Sequence, residues 1–240
     1  MSASAVPGTG DEPPRLVAPI WHTILFFGLL FWLEYASHPG GFGIPRESLR
    51  ALFHDRSVIY ALGIVADCLI LGLMYVGFLM QKSKLSDLLG AAWGDREQAW
   101  RDVYLGAAFS LVLLAVSVLF LVIFGTSKSA EALKPKTVTE FSLFLLFMVA
   151  AGIAEELIFR GYLTRQLDHY LRNGNLVVIL QAVAFAALHG PGQSLGEVTA
   201  KFVVGAFLGV LAMQRRSLVP GIVAHCCLNL IAAIYGSAVG

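Results

Sequence analysis

An all-α bundle that crosses a membrane about seven times is the fold class this sequence predicts, on three observations. Of its 240 residues 57% are hydrophobic and only 14% are charged, where an ordinary soluble domain carries about 25% charged residues. Mean hydropathy is +0.73. The apolar residues also fall in long uncharged runs, close to the roughly 20 residues a helix needs to cross the bilayer core.

In chain order, MSASAVPGTGDEPP at the start is polar and carries no positive charge. A secretory signal needs a basic region before its apolar one, so residues 1–15 read as a disordered tail and the first apolar segment as a retained span. Leu16–Leu33 is that span, edged by Trp32 and Tyr35. Ser57–Met80 is the second, interrupted only by Asp67. Gln81–Asp102 holds four basic and four acidic residues, and SDLLGAAWGDREQAW within it predicts an interfacial helix with its tryptophans at headgroup level. Val103–Gly125 is the third span, and Thr126–Thr139 is a polar loop with Lys128, Lys134 and Lys136.

Phe141–Ala154, the fourth span, is fourteen residues without Asp, Glu, Lys or Arg, and runs directly into Glu155 and Glu156. Asn175–His189 is shorter and ends in HGPGQ, a turn signal. Phe202–Gln214 carries Gly205 and Gly209, a small-xxx-small pair suited to close helix packing. Ser217–Tyr235 closes the series, uncharged apart from His225. No internal repeat divides the chain. It reads as a tail (1–15), an N-terminal helical part (16–136) and a C-terminal helical core (137–240) that form one domain. With seven spans, ten of the 17 Lys and Arg fall on the N-terminal side and seven on the other, which favours a cytoplasmic N-terminus.

Composition also limits partners. A net charge of +1 lacks the concentrated basic face that nucleic acid needs. The expected partners are the lipid bilayer and a peptide or protein substrate within it; oligomeric state leaves no trace in the sequence. Cys68, Cys226 and Cys227 all lie in apolar segments and suggest neither a disulfide framework nor zinc-finger spacing.

Three patterns in the C-terminal half can carry chemistry: Glu155-Glu156-Leu157-Ile158-Phe159-Arg160, Phe185-Ala186-Ala187-Leu188-His189 and His225-Cys226-Cys227-Leu228-Asn229. Each contains a four-residue spacing, which places its ends on one helix face. Glu156 and Arg160 pair by that rule. Glu155 lies about 100° further round and is the freer carboxylate. Ionisable groups at membrane depth are costly and mark function. A partly desolvated carboxylate serves as a general base near neutral pH; with a histidine beside it, water could attack a peptide carbonyl. Glu155 and His189 fit that task, and His225 with Asn229 fits the stabilisation of the resulting oxyanion. Glu155, His189 and His225 also form a two-histidine, one-carboxylate set of the kind catalytic zinc uses. A divalent metal such as zinc and no metal at all are both compatible with these residues.

In this order, at the ends of or within apolar helices, the three patterns resemble the motifs EExxxR, FxxxH and HxxxN of the CPBP family. That family comprises intramembrane proteases that include CAAX prenyl endopeptidases and bacteriocin-processing or immunity proteins, also called Abi. The resemblance covers roughly Phe141 to Tyr235. It implies a multi-pass peptidase, in the cell membrane if bacterial, with a polar catalytic cavity in its C-terminal half. Glu155 would take the place of the catalytic glutamate and His189 of the histidine that works on the water. His225 and Asn229 would form the oxyanion pair, with Glu156, Arg160 and Phe185 in support. The family is often called metallo-, although a metal-free glutamate mechanism has also been proposed for it. Two other classes use the same buried groups: an ion-coupled transporter, which predicts inverted repeats across both halves, and a non-catalytic immunity or scaffold protein.

Overall fold

The computed structural model describes residues 16–36, 55–84, 88–89, 96–125, 134–190 and 192–238, whose regular structure is helical. The N-terminal tail and most of the Thr126–Thr139 loop lie outside them. The helices are α1 (Ile20–Ala36), α2 (Arg56–Met80), α3 (Arg96–Phe124) and α4 (Val138–Glu155). A π-helical stretch (Glu156–Leu163) and α5 (Thr164–Leu171) continue α4, and α6 (Gly174–Ala187), α7 (Leu195–Arg215) and α8 (Val219–Ala238) follow. Four helices are long and apolar enough to cross a membrane: α2, α3, the continuous Val138–Leu171 and α7. α1, α6 and the Val219–Tyr235 part of α8 are apolar but shorter.

Local chemistry fixes most boundaries. Asp55 caps α2 by accepting the Ser57 N–H, Thr137 caps α4 through the Glu140 N–H, and Asn173 caps α6 through the Leu176 N–H. Ser194 and Glu197 form a reciprocal capping box at α7. Each such cap satisfies a backbone donor that the first helical turn leaves open. Arg172 and Arg216 adopt left-handed backbone at φ 49° and 50° and turn the chain sharply at the ends of α5 and α7.

Neighbouring contacts show helices that alternate in direction. α1 is antiparallel to α2, with Ala18 and His22 against Gly77. α2 is parallel to α4, because Gly63 meets Phe147 and Phe78 meets Tyr162 at the same sequence offset. α4 is antiparallel to α8 through Gly152 against Cys226 and Asn229, and α6 is antiparallel to α7 through Gly205 and Gly209. Of the spanning-length helices α7 is the most enclosed, 44% buried against 17% for α2 and 11% for α3, so α7 belongs to the interior while α2 and α3 face outward. At the centre stands the π-helical stretch, where every residue from Ile158 to Thr164 is buried. A helix covered on all sides is surrounded by protein, here by α1, α2, α6, α7 and α8.

Most of the interfacial helix expected over SDLLGAAWGDREQAW, residues 86–87 and 90–95, lies outside the described residues; Leu88 and Leu89 are helical. Leu88 is 1% exposed and packs on Gly161, and the Leu89 carbonyl accepts the Leu218 N–H at 3.3 Å. Arg96–Trp100 begins α3. The missing side chain of Gly161 leaves room that Leu88 fills, which draws this connection into the bundle.

Close approach of α3 and α8 depends on Gly106, where a Cβ would lie 2.5 Å from the Pro220 carbonyl oxygen. Gly106→Ala should lower the unfolding temperature in detergent by forcing a helix shift that costs about 1–3 kcal/mol. Gly72→Ala, with nothing within 4 Å, should raise it by removing the helix penalty of glycine, about 1 kcal/mol. The same direction of change in both variants contradicts the packing described.

Candidate active site

Glu156 and Arg160 form the ion pair that their spacing predicts. Oε1 and Nη1 are 2.8 Å apart and both side chains are 0% exposed. Two charges without water need further partners, and three helices supply them. From α8, the His225 Nδ1–H donates to the same Glu156 oxygen at 2.9 Å. From α7, the Gly205 carbonyl accepts Arg160 Nη2–H at 3.3 Å. From α6, the Phe185 ring lies 4.4 Å below the guanidinium carbon, a cation–π contact. Glu156 Oε2 and Arg160 Nε remain buried and unpartnered. Gly221 presses on Glu156 Oε2, since a Cβ there would stand 2.9 Å from it.

Glu155 differs from its neighbour. Its side chain is 28% exposed and its Oε2 lies 3.4 Å from His225 Nε2. One imidazole thus spans both carboxylates, with Nδ1–H held by the fully buried one and Nε2 turned to the partly open one.

His189 ends α6. Its Nδ1–H donates to the Phe185 carbonyl at 2.8 Å, which leaves Nε2 as the lone-pair nitrogen of a neutral ring. Phe185 stands between the two imidazoles, with centroids 4.7 Å from His189 and 5.9 Å from His225. Phe185 also meets Phe159 at 5.1 Å. His189 lies one turn after Phe185 and Glu155 one turn before Phe159, and Glu155 and His189 are within electrostatic reach of one another. Asn229, one turn beyond His225, donates Nδ2–H to the Met148 carbonyl at 3.1 Å and rests on Gly152.

The structure thus gathers Glu155, Glu156, Arg160, Phe185 and His225 in direct contact. His189 joins through Phe185, and Asn229 lies a turn away along the α4–α8 seam. Among the described residues no three His, Cys, Asp or Glu side chains gather as a set able to hold a metal ion. Cavities of about 470 and 540 Å³ lie against Gln98, Arg101, Leu105 and Arg215, and against Asp55, Ser57, Thr137, Thr139 and Glu140. Neither is lined by these site residues.

Three polar residues join the site that its sequence patterns do not mark. Gln181, one turn before Phe185, is buried and donates to the Gly205 carbonyl at 2.8 Å. Asp67, read from sequence as a lone polar residue packed toward the bundle or an interface, lies one turn after Gly63 and one turn short of the level of Glu155. Its Oδ2 is buried without a partner, and it lies in electrostatic reach of Glu155. Lys201 of α7 lies within such reach of both Glu155 and His189. The signal for Asp67 and Lys201 is an ionisable residue inside an apolar helix.

Helices of membrane-spanning length around desolvated acidic, imidazole and amide groups define a membrane protein with an ionisable site in its interior. Residues 137–231 match the family model described as type II CAAX prenyl endopeptidase Rce1-like. Over that stretch the chain is similar to CAAX-type proteases, in agreement with its resemblance to the CPBP family. No curated protein and no solved structure matches the chain.

Glu156→Ala leaves the buried Arg160 unpaired and should cost about 3–5 kcal/mol of stability. Replacing both residues by leucine should recover much of that loss in detergent unfolding measurements. A double variant no more stable than Glu156→Ala contradicts this account of the pair.

Proposed function

We propose that the chain is an intramembrane endopeptidase that hydrolyses a peptide bond of a membrane-associated substrate with water activated by Glu155. Glu155 carries the reading: it is a half-open carboxylate 3.4 Å from an imidazole nitrogen, amid apolar helices, in a stretch that matches an endopeptidase family model. The apolar helices other than α6 serve as spans, with a polar cavity opening at Glu155.

Glu155 takes a proton from a water that also hydrogen-bonds His189 Nε2, and the water oxygen attacks the scissile carbonyl carbon. Negative charge then develops on the carbonyl oxygen. His225, its Nδ1–H held by Glu156, offers Nε2–H when that nitrogen carries a proton, and Asn229 offers the second Nδ2–H. Collapse breaks the C–N bond, and the proton held by Glu155 passes to the leaving amine. The products are a new carboxyl terminus and a new amino terminus, and Glu155 is restored. Glu156 and Arg160 hold His225 in register through a pair too buried to trade with solvent.

Glu155→Gln and His189→Ala should each abolish cleavage of membrane-derived peptides by protein in liposomes while insertion and unfolding temperature are retained. Asn229→Ala should lower turnover by about 10²–10³, the size of one lost oxyanion donor. Turnover or a cellular phenotype that survives Glu155→Gln overturns the reading in favour of a non-catalytic role.

Cleavage should also persist after exhaustive chelation, because every step above uses the chain's own groups. Activity lost with the chelator and restored by zinc replaces direct water activation with a metal-assisted route.

A further inference from the structure

We infer that Arg101 of α3 and Arg215 of α7 form a site for the phosphate of an anionic phospholipid, at the end of the bundle where α3 begins and α7 stops. The site lies apart from the groups assigned to hydrolysis and depends on membrane insertion, not on the endopeptidase reading. Its core is the cavity of about 470 Å³ lined by Gln98, Arg101, Leu105 and Arg215. Gln98, Arg101 and Leu105 recur at i, i+3 and i+7 and so share one face of α3. Arg215, the last residue of α7, closes the cavity from the neighbouring helix.

Depth follows from how the two helices are latched. They are antiparallel, and at one end the Ser194 hydroxyl donates to the Gly125 carbonyl at 2.8 Å. Midway, Phe109 meets Phe207 with ring centroids 6.2 Å apart. At the other end Arg215 donates to Asp102 Oδ1 through Nε at 2.9 Å and Nη2 at 2.6 Å. From Asp102 to Gly125 the chain rises about 35 Å at 1.5 Å per residue, slightly more than the roughly 30 Å of bilayer hydrocarbon. The cavity therefore falls at headgroup level. Beside it, Trp100 and Tyr104 are exposed and stand one turn apart with their rings 6.2 Å from one another. Such amphipathic rings favour the membrane–water interface.

The charges suit an anion. Asp102 is wholly buried and does not line the cavity. It orients the Arg215 guanidinium through Nε and Nη2, which leaves the Nη1 donors for a ligand. Arg101 pairs with Glu97 one turn earlier, and both side chains are mostly exposed. Exposed pairs of this kind are weak, so a phosphate can displace Glu97. Its release leaves one positive charge uncompensated across the two arginines, which matches an anionic phospholipid and not a zwitterionic one. The guanidinium fork also binds phosphate oxygens two at a time. Leu105, one turn deeper than Arg101, provides an apolar wall where the acyl chains begin. A bound lipid would tie α3 to the turn from which α8, the helix of His225, starts; Gly106 of α3 already packs there on Pro220.

The test is thermal unfolding of the full chain in neutral detergent, titrated with dioleoyl phosphatidylglycerol, dioleoyl phosphatidylcholine or inorganic phosphate. Phosphatidylglycerol should raise the unfolding temperature saturably, because a ligand that binds only the folded protein stabilises it. Phosphatidylcholine and inorganic phosphate should leave it nearly unchanged. Arg101→Gln should weaken the apparent Kd for phosphatidylglycerol about tenfold, the weight of one charge-assisted contact. Because Arg101 is exposed, the unfolding temperature without lipid should stay where it is. Lys136→Gln, the same loss of charge elsewhere on the chain, should leave the Kd unchanged. Equal stabilisation by both lipids overturns the inference in favour of non-selective lipid solvation, and equal stabilisation by inorganic phosphate overturns it in favour of a free-anion site. An unchanged Kd in Arg101→Gln, or the same weakening in Lys136→Gln, overturns the assignment to this cavity.

Discussion

The pair formed by Glu156 and Arg160 sets the geometry of everything around it. Two opposite charges with no exposed side-chain surface must be satisfied by whatever packs on them, and desolvation can exceed their mutual attraction. The surrounding helices are arranged accordingly, with an imidazole from α8, a carbonyl from α7 and an aromatic face from α6 converging on the two side chains. Each of these contacts fixes the rotation of a different helix. His225 cannot turn away without stranding Glu156, nor Phe185 without uncovering Arg160. The pair contributes specificity of arrangement more than stability, and it holds the neighbouring Glu155 at the one place where the same imidazole can face it.

Convergence of this kind needs helices closer together than large side chains permit. In lipid, burial of apolar surface does not itself draw helices together, so small residues and interhelical hydrogen bonds do. Glycines stand at the required points: Gly152 between α4 and α8, Gly205 and Gly209 between α6 and α7, Gly221 over Glu156. Polar side chains complete the seams, as with Gln181 on Gly205 and Asn229 on Met148. On the far side of the π-helical stretch, a second network ties the start of the chain to it. Tyr162 shares its hydroxyl with His22 at 3.0 Å and Thr23 at 2.8 Å, and Gln166 bonds the Ala18 carbonyl. The central helix is thus clamped from both sides, which suits a stretch whose i→i+5 bonding departs from the ordinary helical ladder.

Helix periodicity explains what could be read beforehand. It assigns residues to a face of their own helix, so the Glu156–Arg160 pair and the greater freedom of Glu155 follow from spacing alone, and the apolar runs locate the helices to within a few residues. Periodicity is silent about which helix lies opposite. Asp67 therefore reads as an isolated polar residue, and Lys201 carries no pattern, until α2 and α7 are set in register against α4 and α6. The π-helical stretch has no compositional mark, since Glu156–Leu163 reads as a continuation of the preceding helix. Asn175–His189 is short for a span by sequence, and α6 within it has 14 residues, about 21 Å of helix at 1.5 Å per residue.

The shortness of α6 bears directly on how a substrate would enter. A helix of that length stops short of the roughly 30 Å of bilayer hydrocarbon, so α6 can end at membrane depth, where irregular backbone is tolerated only when buried in protein or lining a water-filled space. The end is satisfied from several sides. His189 and Gly190 N–H groups bond the Ala186 and Ala187 carbonyls at 3.2 Å, the His189 side chain takes the Phe185 carbonyl, and Tyr35 from α1 donates to Ala187 at 3.1 Å. His189, Lys201 and the partly open Glu155 all approach this same end. On the endopeptidase reading, the end of α6 is therefore where an extended peptide would reach the carboxylate. An extended strand there meets helix-end groups, whereas entry between any two full-length helices would have to part a seam closed on glycine.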